Sequence, residues 1–224
     1  FRIRDIAFYD DALLLNAGNR IIPLLEKIIQ SRMPLRFHTP NGLHAGQMNK
    51  QVAALFSQAG FSTIRLSFET ASPERLNDMN FKVTPDQLSA AVQNLESAGY
   101  SRSTIESYVM MGLPHQTFQE ICESVIFVHS LGIKVRLASF SPIPGTPDYE
   151  KAVSEGLFPD QADPLLTNKT IYPLHRNIEA FRKFSEIRQL VNAVNQATER
   201  QTKLFSPPDL RSAFENILNN GLDG

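Results

Sequence analysis

Cysteine is nearly absent: Cys122 is the single one among 224 residues, and there is no tryptophan. One thiol excludes an internal disulfide framework and suits a reducing cytoplasm, the compartment expected here. No run of about 18 apolar residues occurs, so no membrane-spanning helix is expected, and nothing at the amino end resembles a signal peptide. Neither sign of charge dominates. The 22 Lys and Arg against 23 Asp and Glu leave a net charge of −1, which argues against nucleic acid or an anionic membrane as the main partner. G-x-G-x-x-G is missing after the first strand-like run and everywhere else, so a dinucleotide-binding Rossmann domain is not expected. An initiator methionine is missing too. The chain opens "FRIRDIAFYDD", directly into a strand pattern, and reads more naturally as a fragment of a longer protein than as a processed or tagged one.

What is present is a rhythm. Strand-like runs at residues 2–8, 35–39, 62–68, 103–111 and 133–140 alternate with helical periodicity at 19–31, 48–59, 84–99 and 117–131, and a short helix follows at 148–155. Thr84-Pro85-Asp86 has the residues of a helix start: a hydroxyl cap, a proline in the first turn and an early acid. Gly60, Gly99 and Gly132, in "QAGF", "SAGY" and "SLGI", sit where a helix ends and the next strand begins, the place for a left-handed residue. Successive strand–helix units imply a parallel sheet with right-handed crossovers. The expected fold class is α/β, a partial (β/α) TIM-like barrel of about five parallel strands with surrounding helices, an open doubly wound sheet being the alternative. Past Gly156 the rhythm stops. A proline-punctuated connection leads to a long amphipathic helix at 177–197 and a last helix at 208–218. The expected division is a barrel at 1–156 and a C-terminal extension of cover helices at 157–224.

Parallel strands covered on both faces normally read as continuous apolar runs. Four of the five here alternate instead. Arg36 and His38 alternate with Leu35 and Phe37, and Arg65, Ser67 and Glu69 with Ile64, Leu66 and Phe68. Glu106 and Tyr108 alternate with Ile105 and Val109, and Lys134 and Arg136 with Ile133, Val135 and Leu137. Helices can cover the apolar side. The charged side must meet water, a ligand or opposite charge, because an unpaired buried ion is costly. Two readings stay open: a concave polar cavity, or a layer of ions neutralising one another at the bottom of a packed barrel. The second suits Lys134, near a strand start. The first suits Glu69, at a carboxyl end, where β/α folds place their sites.

The strand-end loops carry polar and backbone-shaping residues. In order they are "FYDDALLLN", "TPNGLH", "IRLSFETAS" followed by "ER" and "MNFK", "YVMMGLPHQT" and "SPIPGTP", within residues 3–150. This ordered series resembles the radical S-adenosylmethionine (SAM) enzymes, most closely the group whose members often carry a cobalamin-binding domain ahead of the core. The resemblance implies a parent enzyme that cleaves SAM reductively at a [4Fe–4S] cluster. The resulting 5′-deoxyadenosyl radical would act on a small-molecule substrate, with cobalamin-dependent methyl transfer as one outcome. Two family signatures are absent: the cluster loop C-x-x-x-C-x-x-C and the cobalamin motif D-x-H-x-x-G. One thiolate cannot hold such a cluster, and Cys122 lies in the apolar helix pattern "EICESVIFV", the place of a buried core thiol. The cluster ligands and any cobalamin domain are therefore expected outside this chain, whose strands would be the second to sixth of a six-stranded partial barrel. The fragment alone is expected to be inactive, with no catalytic or metal-binding residue of its own.

By resemblance, the SAM cradle includes Asp10 and Asp11, where a carboxylate accepts from the SAM ammonium, and Glu69, near the ribose or the amino-acid part. Arg75 would match the SAM carboxylate. Met111, Gly112 and Pro114 would flank adenine, and Phe140, Ser141 and Pro142 would read its edge. Thr39, Asn41, Arg65 and Glu106 fall on the substrate side. Bland counterparts stand beside these: Asp10 and Asp11 as loop or capping carboxylates, Arg75 as an exposed helix arginine. His38 and His44 read as hydrogen-bonded structural histidines and His129 and His175 as ordinary helix residues, and no pair has zinc-ligand spacing with a third partner. His115 stands where the commoner family string "GLPGQ" has glycine. Two other functions compete: a cluster-free barrel enzyme with Glu69 and Glu106 as acid and base, and a non-catalytic barrel that binds a small molecule or partner. An unpaired outer sheet edge would also favour dimerisation.

Overall fold

The computed structural model describes residues 3–78, 83–163, 165, 177–201 and 205–219. Arg2, the "MNFK" string, His175 and most of the proline-punctuated connection lie outside them. The strands are β1 (Asp5–Ala7), β2 (Arg36–His38), β3 (Leu43–His44), β4 (Phe61–Ser67), β5 (Ile105–Met111) and β6 (Lys134–Ser139). The helices are α1 (Ile21–Ser31), α2 (Lys50–Ala59), α3 (Pro73–Asp78), α4 (Pro85–Ser97), α5 (Phe118–Ser130), α6 (Pro147–Ser154), α7 (Ile178–Arg200) and α8 (Pro207–Asn219). All strand pairs are parallel, in the order β1-β2-β4-β5-β6, with β3 also paired to β4. The α/β architecture is the expected one, a curled parallel sheet with helices around it. β2 and β3 are two pieces of one path beside β4: Phe37 pairs with Phe61, and, past an irregularity, Leu43 pairs with Leu66. Two residues give no periodicity, so β3 was hidden inside "TPNGLH". The short α3 was hidden likewise.

Local chemistry sets the boundaries. Thr84 Oγ1 accepts from the Gln87 N–H at 3.3 Å, and the Thr84 N–H donates to Gln87 Oε1 at 2.9 Å, closing a reciprocal box at the start of α4. Asn49, Thr117 and Asn177 cap α2, α5 and α7 through their side chains. Gly60 ends α2 at φ 88°, and a Cβ there would stand 3.0 Å from the Leu35 carbonyl oxygen. Glycine is required twice over.

Alternation sorts the sheet into two faces. Ile64, Leu66 and Phe68 of β4 and its exit, with Ile105, Val109 and Met111 of β5, are fully buried in one core with α2, α4 and α5. Burying each such side chain contributes about 1.5–3 kcal/mol. Cys122 is buried in the same core, and burial first, then the nearby Glu123 charge, pushes its thiol up to about 12. His129, on α5, is buried too: its Nδ1 meets the Ile133 carbonyl at 3.3 Å, its Nε2 has no partner among the described residues, and burial pushes it down to about 4. Phe184, Ile187 and Val191 of α7 and Leu210 and Phe214 of α8 join this same cluster. No described helix is long and apolar enough to cross a membrane.

The two sheet edges differ. All three residues of β1 are exposed, and its outer side carries no strand among the described residues. The outer side of β6 is closed by α7. Asn195 Oδ1 accepts from the Val135 N–H at 2.9 Å, and Asn195 Nδ2 donates to the Val135 carbonyl at 2.8 Å. One amide thereby satisfies both edge groups of that residue, which guards the edge against foreign strands. Replacing Asn195→Ala is predicted to cost about 2 kcal/mol, from two lost hydrogen bonds at roughly 1 kcal/mol each. Urea unfolding checks this; a loss below about 0.5 kcal/mol would show that the contact does not hold α7.

Candidate functional site

The charged face of the sheet is paired along its middle. Arg65 is the register partner of Glu106, Glu106 of Lys134, and Tyr108 of Arg136. Glu106 Oε2 accepts from Arg65 Nε at 2.8 Å and lies 3.5 Å from Arg136 Nη1, while Glu106 Oε1 is 3.9 Å from Lys134 Nζ. Arg65 Nη1 also donates to the Pro40 carbonyl at 3.2 Å, as does the Tyr108 hydroxyl at 2.9 Å. Toward β1, Asp5 takes Arg36 in a fork at 2.7 and 2.9 Å and meets His38 Nε2 at 3.0 Å. The Arg36 bonds first, then His38, hold the Asp5 carboxyl down at about 2. His38 Nδ1 also shares a hydrogen bond with Thr63 Oγ1 at 2.8 Å. Cross-strand charge pairing therefore accounts for mid-strand ions, the second of the two readings.

The first reading holds at the strands' carboxyl ends. A cavity of about 350 Å³ opens there. Its walls are the loop after β1 (Asp11, Leu14, Leu15), the β2–β3 turn and β3 (Gly42, His44), and the end of β4 (Ser67, Phe68, Glu69), with Leu76 of α3 beside them. Gly42 is sterically fixed: a Cβ would meet Ser67 Cβ and the Tyr108 ring, each at 3.2 Å. Glu69 is left-handed at φ 51°, a strained conformation for a non-glycine residue, and its carbonyl accepts from the Met110 N–H at 2.8 Å. Asn41 Nδ2 holds the β1 loop, donating to the Tyr9 carbonyl at 2.8 Å and to Asp11 Oδ1 at 3.1 Å. An apolar floor with a few convergent polar groups is the usual composition of a small-molecule site.

Of the residues singled out from the sequence, Asp11 and Glu69 line this cavity, and Asn41 positions Asp11. Asp10 turns away, pairing with Arg20 at 3.3 Å near the surface. Thr39 is buried, its hydroxyl donating to the Thr63 carbonyl at 2.9 Å. Arg75 forks onto Glu120, with Nη2 3.1 Å from Oε2, and its Nη1 donates to the Pro114 carbonyl at 3.2 Å. Its guanidinium thus ties α3 to the β5–α5 loop. Met111 ends β5 and Gly112 and Pro114 follow it in that loop, all outside the cavity lining. Gln116, a polar residue of the same string to which the sequence gives no specific role, is buried: its Oε1 accepts from the Gly112 and Leu113 N–H groups at 2.8 and 3.1 Å, and its Nε2 donates to the Met110 carbonyl at 3.1 Å. Phe140 pairs through its N–H with the Met111 carbonyl at 2.8 Å. Ser141 and Pro142 follow, and the buried Ser141 Oγ has no hydrogen-bond partner among the described residues.

Comparison with known proteins settles the family. The model for the Radical SAM superfamily matches residues 3–128, more than half of the chain. The chain belongs to the radical SAM superfamily. It is 27% identical over 158 residues, 70% of its length, to an uncharacterized methyltransferase of Pyrococcus horikoshii. In structure it is similar to TsrM, a radical SAM methyltransferase of Kitasatospora setae solved with cobalamin and a [4Fe–4S] cluster bound. That match has a TM-score of 0.58 at 16% identity and covers 77% of this chain. Coproporphyrinogen III oxidase (HemN) of Escherichia coli, also a radical SAM enzyme, gives a TM-score of 0.49 at 14% identity over 74% of the chain. The chain spans about a third of these proteins: 33% of the Pyrococcus protein, 35% of TsrM and 37% of HemN.

Within this radical SAM chain the residues do not fit an iron–sulfur cluster. Three thiolates are needed by the family's loop, the chain has one cysteine, and that thiol is buried and held protonated. No group of three metal-ligating side chains occurs among the described residues. SAM fits better. It is a cationic molecule with an apolar body, and the cavity sets two carboxylates, Asp11 and Glu69, over Leu14, Leu15 and Phe68. The Ser141 hydroxyl, without a partner among the described residues, is a further polar group fit for a ligand.

His115 explains the departure from "GLPGQ". It is left-handed at φ 55°, where glycine is unstrained, and its Nε2 meets Glu155 Oε2 at 2.8 Å on the surface. Replacing His115→Gly should therefore give a more stable protein than His115→Ala, by about 1 kcal/mol. Thermal unfolding of both variants checks the order, and an Ala variant at least as stable as the Gly one contradicts it.

Proposed function

We propose that this chain is the SAM-cradling portion of a radical SAM enzyme, whose whole form carries the cluster ligands outside the residues present here. The cavity between Asp11 and Glu69 carries this reading. There the two carboxylates attract the ammonium and sulfonium charges, and Asn41 holds Asp11 in place by its 3.1 Å bond. Leu14, Leu15 and Phe68 exclude water around the apolar body. Ser141, Phe140 and Pro114, which lie beyond the lining of this cavity, are the groups we assign to the adenine end, while the Met111 side chain is fully buried in the core. The cofactor itself brings the difficult chemistry, reductive cleavage to a carbon radical, and the protein supplies position and electrostatics. Methyl transfer with cobalamin is the outcome we favour for the whole protein, supported by the methyltransferase relatives. The substrate is a small molecule.

SAM binding by the chain, measured by isothermal titration, tests this. Asp11→Asn and Glu69→Gln are each predicted to weaken binding about tenfold, or ~1.4 kcal/mol. S-adenosylhomocysteine, without the sulfonium charge, is predicted to bind more weakly than SAM to the unsubstituted chain and about equally with SAM to the double variant. Binding that ignores both carboxylates would sink the assignment and favour a barrel that holds a neutral small molecule.

A further inference from the structure

The polar face of the sheet holds more positive charge than its own carboxylates take up. Arg65, Lys134 and Arg136 converge on Glu106, and Lys134 also reaches the exposed Glu199 at 3.5 Å. Three cations against two carboxylates leave one positive charge over. It resides on Arg136: the contact with Glu106 is 3.5 Å against 2.8 Å for Arg65, and its side chain is 47% exposed against 20%. Arg136 lines a cavity of about 250 Å³ at the outer edge of β6, walled on α7 by Arg188 and Asn192. Val135 gives its edge-facing N–H and C=O to Asn195. Leu137, two residues on, turns its N–H to the same edge, and it too lines the cavity. A guanidinium, a side-chain amide and a strand-edge N–H form a donor-rich set that a carboxylate or phosphate satisfies.

Position links this cavity to the first. Tyr108 is the register partner of Arg136. The Tyr108 ring and Ser67 Cβ both stand 3.2 Å from the Cβ position of Gly42, and Gly42 and Ser67 wall the cavity between Asp11 and Glu69. Ser67, Tyr108 and Arg136 thus form a row across β4, β5 and β6. At about 4.8 Å per strand, Arg136 lies roughly 10 Å from that wall. The distance is one small molecule long.

We propose that Arg136, with Asn192 and the Leu137 N–H, binds the anionic group of the substrate, a carboxylate or phosphate, while the substrate's reacting end lies beside Ser67. Its role as a substrate site rests on the SAM reading above. Drawing Arg136 off Glu106 leaves that carboxylate with Arg65 and Lys134, so the site engages an anion without stranding a buried charge.

The test uses the ¹⁵N-labelled chain titrated with inorganic phosphate, against chloride at matched ionic strength, with SAM titrated separately. Saturable shifts are expected at the Leu137 amide and the Asn192 side-chain amide. Arg136→Gln should weaken the phosphate response at least tenfold while leaving SAM binding intact, and Arg136→Lys should fall between. Intact SAM binding also certifies that the variants fold. A chain that binds SAM but shows no phosphate shift at Leu137, or an equal shift in Arg136→Gln, overturns the anion site and leaves the SAM reading standing. An Arg136-dependent phosphate shift in a chain that does not bind SAM upholds the anion site and overturns its role beside a SAM cavity.

Discussion

A carboxylate shared by three cations organises the interior of this sheet. Glu106 sits on β5, between Arg65 on β4 and Lys134 and Arg136 on β6. A curled parallel sheet with ions on its concave face must neutralise them or flood that face with water. Neutralisation across the strands lets β4, β5 and β6 carry charge inward while Ile64, Leu66, Ile105, Val109 and Val135 pack outward against the helices. The ion layer also fixes where the open space lies. Mid-sheet, the side chains fill the face by pairing with one another; past the ends of the strands the chain leaves a cavity bordered by Asp11 and Glu69.

Much of this was legible in the residues. Alternation with period two marked β4, β5 and β6 and both their faces, because each is long enough to repeat. Thr84 and the left-handed glycines marked helix ends because their chemistry is local. β3 and α3 were invisible, having two and six residues and no repeat to read. In the site, Glu69 and Asp11 were legible because they stand in strings tied to strand ends. Asp10 and Arg75 carry equally suitable chemistry but are taken up by Arg20 and Glu120, pairings between elements 10 and 45 residues apart that no local pattern announces. Gln116 was visible as a polar loop residue but its role was not, for the opposite reason: its bonds are local, but a lone amide in a loop does not show what it will bond until the backbone has folded around it.

The two ends of the sheet's charged face divide the labour. At the β1 side, Asp5, Arg36 and His38 close on one another and contribute structure. At the β6 side, Arg136 is held loosely and α7 supplies polar groups opposite it. The chain's membership of the radical SAM superfamily goes with an opening at the carboxyl ends of its strands, and its single buried cysteine cannot supply the three thiolates of a cluster loop. Glu69 and His115 are two of the left-handed non-glycine residues, in loops shaped by contacts rather than by propensity.

The sharing of Glu106 is most directly measured by a double-mutant cycle in stability. Glu106→Gln, Arg65→Met and the pair together would be unfolded in urea under identical salt. The account predicts that Glu106→Gln alone costs about 2–3 kcal/mol, since it leaves half-buried cations unopposed, and that Arg65→Met restores at least 1 kcal/mol of that loss. Additive effects, or a Glu106→Gln protein as stable as the parent, would mean that the ions do not hold the sheet together and that the cavity has another cause.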